Sequence, residues 1–273
     1  MPDSENSPAP VRVNAAIRKS LELGNVAVLA TVIEAPTHLG AKLFIEKTGE
    51  TVGDLGNADL NEAVAKFALK FLETRDDAHT FHSRDFAPPL AYKAQIRILF
   101  ERIQPEPRIV IFGAGHVGAA LAKLASFAGY RVTLIDDRAE FVTRERFPEP
   151  LVELVPAESW ATAAANSIGN GHGISVAIVT RGHAEDEECL RAVLNTTPDY
   201  VGLIGSKRRT NIVLDRLRLA GVAEEKLNCV RAPIGLDIGA VTPEEVAVAI
   251  LAEIVAERRG GTGTPMSSFR RSK

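Results

Sequence analysis

The stretch Ile109-Val110-Ile111-Phe112-Gly113-Ala114-Gly115-His116-Val117-Gly118 constrains the fold of this chain more than any other. Four apolar residues, three of them β-branched, read as a buried strand. Three glycines follow, and then a run of small and apolar residues to Phe127 that reads as a helix. A G-x-G-x-x-G string alone is weak. Here a strand precedes it, a helix follows it, and a second strand, Val132–Ile135, ends in an acid, Asp136. In that context Gly113 permits a tight turn, Gly115 lets the backbone approach a phosphate, and Gly118 lets helix and strand pack closely. The N–H groups at the helix start, where His116 stands, then form an anion site. Asp136 is placed to accept from a ribose hydroxyl, and Arg138 to tolerate a 2′-phosphate there. The intervening Asp137 reads as a solvated loop residue.

From Arg108 onward the rhythm is strand, helix, strand. Further apolar strands fall at Leu151–Val155, Ile174–Val179 and Tyr200–Ile204, the last two followed by charged helical segments. Such alternation predicts an α/β fold, a Rossmann-like doubly wound parallel sheet covered on both faces. The first half differs. Val13, Ile17 and Leu21 recur at helical spacing before Gly24, and Val26–Ile33 reads as a strand. Leu43-Phe44-Ile45 opens a hairpin through Lys47-Thr48-Gly49 into Thr51-Val52-Gly53. Leu60, Val64, Phe67, Phe71 and Leu72 share a helical face that Asn57 or Asp59 caps. Ala94, Ile96, Ile98 and Phe100 alternate as a strand. This predicts a smaller α+β domain with an antiparallel sheet over 11–103, after a disordered lead-in at 1–10. Ile103-Gln104-Pro105-Glu106-Pro107 serves as linker, the second domain covers 108–260, and 261–273 form a flexible tail.

Three later motifs stand out, and the first two follow strands, where ligands of parallel sheets bind. Thr180-Arg181-Gly182-His183 follows one strand and offers His183 for hydrogen bonding or acid–base work. Asp186, a few residues on, complements the next helix start. Gly205-Ser206-Lys207-Arg208-Arg209 follows the next strand. Ser206 is an N-cap, and Lys207 and Arg208 are cations in a first turn, where the helix dipole disfavours positive charge; an anionic ligand would relieve that conflict, with a solvated basic face as the equal alternative. In Pro233-Ile234-Gly235-Leu236-Asp237-Ile238-Gly239, Gly235 and Gly239 bracket Asp237, so the backbone approaches something closely. Thr242-Pro243-Glu244-Glu245 then opens a capped helix through Val246, Ile250 and Ile254.

A formal charge of −3 argues against nucleic acid or an anionic membrane as the main partner. The basic Arg270-Arg271-Ser272-Lys273 tail reads as a solvated terminus. Two cysteines, Cys189 and Cys229, make neither a disulfide framework nor a spaced metal site. With no apolar run of membrane-spanning length, the expected setting is the cytoplasm.

In this order, Gly113-Ala114-Gly115-His116-Val117, Asp136-Asp137-Arg138, Thr180-Arg181-Gly182-His183, Leu203-Ile204-Gly205-Ser206-Lys207-Arg208 and Ala232–Gly239 resemble the XdhC/CoxI family. These are accessory proteins for xanthine dehydrogenase and related molybdenum hydroxylases. In the first half, Ala30-Thr31-Val32, Pro36 and Gly40-Ala41-Lys42 are similar to the family's opening pattern. Where the family often carries Gly-Gly-Cys-Val-Glu, this chain has Gly56-Asn57-Ala58-Asp59-Leu60, and a Cys-Gly-Gly is absent before Tyr92-Lys93-Ala94. The resemblance implies binding of molybdenum cofactor, as molybdopterin or its dinucleotide form, and its insertion into apo-xanthine dehydrogenase. It also implies a cysteine desulfurase partner, a homodimer and no required catalytic residue. Two other readings stay open: an NAD(P)-dependent oxidoreductase with His183 as acid–base group, and a dinucleotide-sensing regulatory module.

Overall fold

A computed structural model describes residues 9–74, 76–87, 96–169 and 173–267. The lead-in through Pro8, the Tyr92–Ala94 stretch and the Arg270–Lys273 tail lie outside the described residues. The chain divides into two compact units, Met1–Pro105 and Glu106–Lys273.

The first unit runs α1 (Ala9–Glu22), β1 (Ala27–Glu34), β2 (Lys42–Glu46), β3 (Thr51–Asp54), α2 (Ala58–Leu72), β4 (Ala78–His82), α3 (Ser83–Phe86) and β5 (Arg97–Ile103). Helix α1 begins inside the stretch expected to be disordered. Pro10 is compatible with that start, because a first-turn N–H has no intrahelical acceptor to lose. The strands form one antiparallel sheet in the order β3-β2-β1-β5-β4. Residues of β1 alternate between its faces, as a pleated strand requires. Val28, Ala30 and Val32 join the core with Leu60, Val64 and Phe71 of α2. Ala27 and Leu29 join Val13 of α1 on the other side. Asn57 caps α2, its side chain accepting from the Leu60 N–H at 3.0 Å.

The second unit runs β6 (Arg108–Phe112), α4 (His116–Phe127), β7 (Arg131–Asp136), a 3-10 turn (Ala139–Phe141), β8 (Val152–Pro156), α5 (Trp160–Ile168), β9 (Ile174–Ile178), α6 (His183–Val193), β10 (Tyr200–Leu203), α7 (Lys207–Leu219), α8 (Glu224–Asn228), β11 (Val230–Arg231) and α9 (Pro243–Arg259). Its six strands are parallel, in the order β11-β10-β9-β6-β7-β8. This is the Rossmann order, two strands winding out one way from β6 and three the other. Successive residues of β6 point to opposite layers. Val110 and Phe112 pack with α5, α6 and α7, whereas Ile109 and Ile111 pack with α4 and α9. All four are fully buried, which is why the strand reads as continuous rather than alternating hydrophobicity.

A switch-point cavity at the glycine loop

The chain leaves β6 through Gly113, whose φ of +106° lies in the region that favours glycine. A side chain there would also meet the Val179 carbonyl oxygen at 2.6 Å. Gly118, inside α4, faces the same turn. A β-carbon on it would overlap the Gly113 carbonyl oxygen and lie 3.2 Å from Val179 Cγ2. Gly115 is different. It has φ −68° as the N-cap of α4, and a β-carbon there meets nothing within 4 Å. Two glycines are thus fixed by packing, and the third leaves open space above the helix start. Four other helices of at least nine residues carry side-chain caps: Asn57, Ser159, Ser206 and Thr242. The α4 N-terminus has no side-chain cap, so its first N–H groups remain available to a ligand.

These residues border a cavity of about 310 Å³ at the carboxyl ends of β6 and β9. That is the crevice where strand order reverses, since β7 lies on one side of β6 and β9 on the other. Gly113, Gly115, His116, Asp136 and Arg138 all line it, and Gly118 packs directly behind. Trp160, Thr180, Arg181 and Pro243 contribute further wall.

Asp136, 1% exposed, is committed to the protein. Its Oδ2 accepts from the Ala114 N–H at 2.7 Å and from Arg138 Nη2 at 3.0 Å. Its Oδ1 accepts from the Arg138 backbone N–H at 3.0 Å and from Arg138 Nε at 2.8 Å. A carboxylate has about four acceptor positions, and all four are taken. Burial opposes ionisation, but the Arg138 and Ala114 hydrogen bonds outweigh it and hold the carboxyl below its usual range. Arg138 is fixed from its other side by Phe141, whose ring centre lies 3.6 Å from the guanidinium carbon. The ribose contact expected from the position of Asp136 would therefore require Arg138 to move away.

Asp137 is not simply a solvated loop residue. It receives Arg181 in a two-point contact at 3.1 and 2.8 Å. This ties the loop after β7 to the loop after β9, and Arg181 Nε also reaches Glu185 at 3.2 Å. Beneath that rim Thr180 donates its hydroxyl to Asp186 Oδ1 at 2.5 Å, and Arg209 Nε donates to Asp186 Oδ2 at 2.9 Å. Asp186 is fully buried, and that burial pushes its carboxyl up despite both partners. Its role is thus a buried brace between α6 and α7, more than the helix-start complement expected from sequence.

The remaining candidates lie outside the cavity wall. His183 is exposed at the start of α6. Ser206 caps α7 by accepting from the Arg209 N–H at 3.2 Å, and Lys207 and Arg208 are exposed beside it. The Gly235 N–H donates to Glu253 Oε2 at 2.7 Å, and Tyr200 donates to the same oxygen at 2.5 Å. That carboxylate fastens the Pro233–Gly239 loop to α9, while Asp237 stays exposed. Sequence reasoning did not single out Trp160 or the partners of Arg181 and Arg209. The one available signal was a lone tryptophan directly after Ser159, a helix cap. Among the described residues no group of three or more His, Cys, Asp or Glu side chains could hold a metal, and no helix is long and apolar enough to cross a membrane.

Comparison with known proteins agrees with this geometry. The XdhC Rossmann domain matches residues 109–254, and the XdhC and CoxI family matches residues 20–82. YqeB of Escherichia coli K12 is 31% identical over 84% of this chain and 42% of its own length. A probable xanthine dehydrogenase subunit of Bacillus subtilis 168 is 30% identical over 59% of this chain and 46% of its own. The molybdenum cofactor insertion chaperone PaoD of Escherichia coli K12 is 26% identical over 57% of this chain and 41% of its own. The chain thus spans less than half the length of the curated relatives it matches. A crystal structure of a xanthine dehydrogenase from Bacillus halodurans shares the fold, with a TM-score of 0.62 at 21% identity, over 90% of this chain and 66% of that one. From the glycine loop and strand order to the matched residues of both units, this chain belongs to the XdhC and CoxI family.

Proposed function

We propose that this chain is a molybdenum-cofactor-binding accessory protein that serves the maturation of xanthine dehydrogenase-type molybdenum hydroxylases in the cytoplasm. The observation that carries the reading is the cavity at the strand-order switch, with an uncapped helix N-terminus and an open space above Gly115. Molybdopterin carries a phosphate, and its dinucleotide form a pyrophosphate. The residues present fit such a group, since backbone N–H groups at His116 and Val117 favour an anion there and Arg138 and Arg181 add positive charge at the wall. Trp160, packed in the core against Phe112, lines part of the same wall and keeps it apolar. Once delivered, the cofactor supplies the metal centre of the receiving enzyme. This chain's residues hold the phosphate end and shield it from bulk water. The relatives named for xanthine dehydrogenase and for cofactor insertion support an apo-molybdenum hydroxylase as recipient; a cysteine desulfurase is the second partner we propose.

A nicotinamide dinucleotide suits the site less well, because the acid that would read its ribose is already occupied. The deciding experiment is native mass spectrometry of the protein purified from cells making molybdenum cofactor, followed by acid oxidation of the released ligand. A fluorescent pterin product is expected, and its loss in Gly115→Ala would place it at the loop. Release of NAD(P) alone, with no effect of the protein on reconstitution of apo-xanthine dehydrogenase, would overturn the proposal.

A further inference from the structure

Arg108 opens β6 at the end of the strand remote from the glycine loop. Alternation along β6 sends its side chain to the α5 side, the side that Val110 and Phe112 occupy. Strand register carries that face outward to the sheet edge. Phe112, Ile135 and Val155 stand side by side in one row, and Val110, Thr133 and Glu153 in the next row toward the amino ends. The first row is apolar throughout. The second turns polar on leaving the core: Thr133, 1% exposed, donates its hydroxyl to Glu153 Oε2 at 3.0 Å. Helix α5 answers with a polar stripe of its own. Ser159, Thr162 and Asn166 recur at helical spacing, while Trp160, Ala164 and Ile168 are buried on another face. Between the two polar walls lies a second cavity of about 340 Å³, bordered by Arg108, Glu153 and the α5 stripe. It shares no lining residue with the crevice at the glycine loop.

Arg108 is the cation of this cavity. Its Nη2 donates to the Ser167 carbonyl oxygen in the last turn of α5. A guanidinium carries five N–H groups, so the others can serve a ligand. Burial pulls its pKa down, and Glu153 opposes this by charge alone rather than by a hydrogen bond. A carboxylate would meet that planar fork with two parallel bonds. The cavity also holds two acids, Glu153 and Glu158. An inorganic anion would therefore face a net negative surround, and a simple amine would face Arg108. A molecule with a carboxylate and an ammonium close together satisfies both ends. We propose that the groove between α5 and β8 is a second ligand site that takes a free polar α-amino acid. Its carboxylate lies on Arg108, its ammonium on Glu153, and its side chain against Thr162 and Asn166. A cavity of this size, with a few convergent polar groups, is of the order small-molecule sites require. The assignment is independent of the cofactor reading, which concerns the opposite end of β6.

The test is calorimetric titration of the full chain with L-serine, L-asparagine and L-glutamine, with proton–nitrogen correlation spectra to locate the ligand. Saturable binding of at least one is expected, with shifts at Arg108 and Asn166. N-acetyl-L-serine lacks the ammonium and L-serinamide the carboxylate, and each should bind at least about tenfold more weakly than L-serine. Glu153 is exposed, and Glu153→Gln keeps an acceptor for Thr133 while removing the charge. This variant should lose about tenfold in affinity for the amino acid and nothing further for its N-acetyl form. No heat and no shift with any of the three up to about 10 mM would overturn the proposal. So would N-acetyl-L-serine binding as tightly as L-serine, a Glu153→Gln variant equal to wild type, or shifts confined to the glycine loop.

Discussion

Gly118→Ala and Gly115→Ala test whether the two glycines do different work. In Gly118→Ala the new methyl would overlap the Gly113 carbonyl oxygen and stand 3.0 Å from its carbon. Relief requires α4 to withdraw by about 1.5 Å to reach a normal contact. The obstacle is backbone at the end of a central strand, so it cannot rotate away. Overpacking of this kind costs about 3 kcal/mol, at the upper end of its usual range. Alanine returns about 1 kcal/mol of helix propensity, which leaves a net loss of about 2 kcal/mol. With a urea dependence of about 2 kcal/mol per molar, the unfolding midpoint of the second unit should fall by about 1 M. Gly115→Ala meets no neighbour and keeps an allowed φ, so beyond the poorer N-cap its stability should fall by no more than about 1 kcal/mol. Its methyl does, however, fill the space above the helix start, and pyrophosphate affinity should drop by about tenfold or more, or 1.4 kcal/mol. Both effects are readable in one assay, because Trp160 is the chain's single tryptophan and lines the cavity. Equal urea midpoints for Gly118→Ala and wild type would refute the packing argument, and unchanged quenching by pyrophosphate in Gly115→Ala would refute the cradle.

Asp136→Asn and Asp186→Asn should each cost about 3 kcal/mol, since each strands an arginine, Arg138 or Arg209; thermal unfolding showing either variant as stable as wild type would contradict the geometry. The pH response separates them. The folded-state pKa of Asp136 is depressed, so its contribution is full above the unfolded value near 4 and is lost as pH falls below it. Wild-type stability should therefore decline on acidification below about pH 4 more steeply than that of Asp136→Asn. Glu253→Ala leaves the Tyr200 hydroxyl and the Gly235 N–H without their acceptor and should lower stability by about 2 kcal/mol in calorimetry, with Glu253→Gln recovering part of the loss. Arg138→Ala frees the Asp136 carboxylate and should raise affinity for ADP-ribose while lowering it for pyrophosphate; titrations moving in the same direction for both ligands would count against the pairing.

The glycine loop was legible because its constraints are local. Gly113, Gly115 and Gly118 answer first to a turn, a helix start and a strand lying within ten residues of one another, and the fold class follows from them; the second constraint on Gly113 and Gly118, their packing against Val179, is long-range and was not legible. The capped start of α9 at Thr242 was legible for the same reason, its box closing within four residues. Strand β4 was not legible. It sits at a sheet edge, its residues Ala78, His79 and Thr80 are polar or small, and none of the five is fully buried, so no alternation marks it. Asp186 and Arg209 lie on different helices, and only the stacking of α6 on α7 brings them together. Ile204, directly after β10, reaches the crevice wall, whereas Lys207 and Arg208 in the next turn stand exposed and do not line it.

What most distinguishes this crevice from one built to read a dinucleotide is the fate of a single carboxylate. The sequence places Asp136 where a ribose reader stands, and the fold delivers it there. Two residues later the chain supplies an arginine that turns back on it, stacked on Phe141 and bonded through backbone and side chain alike. The same loop sends Asp137 across the opening to Arg181, so the two guanidinium groups at the wall are both held by neighbouring acids. A ligand that brings phosphate to the α4 N-terminus competes with those acids for positive charge and gains from backbone N–H groups that no side chain caps. A ligand that brings a ribose diol must instead break a desolvated ion pair to be recognised, at the loss that removing either partner of such a pair entails. On the proposed cofactor-binding reading, phosphate at the loop would be favoured over a ribose at the second strand, because only the ribose would have to displace Arg138 from Asp136.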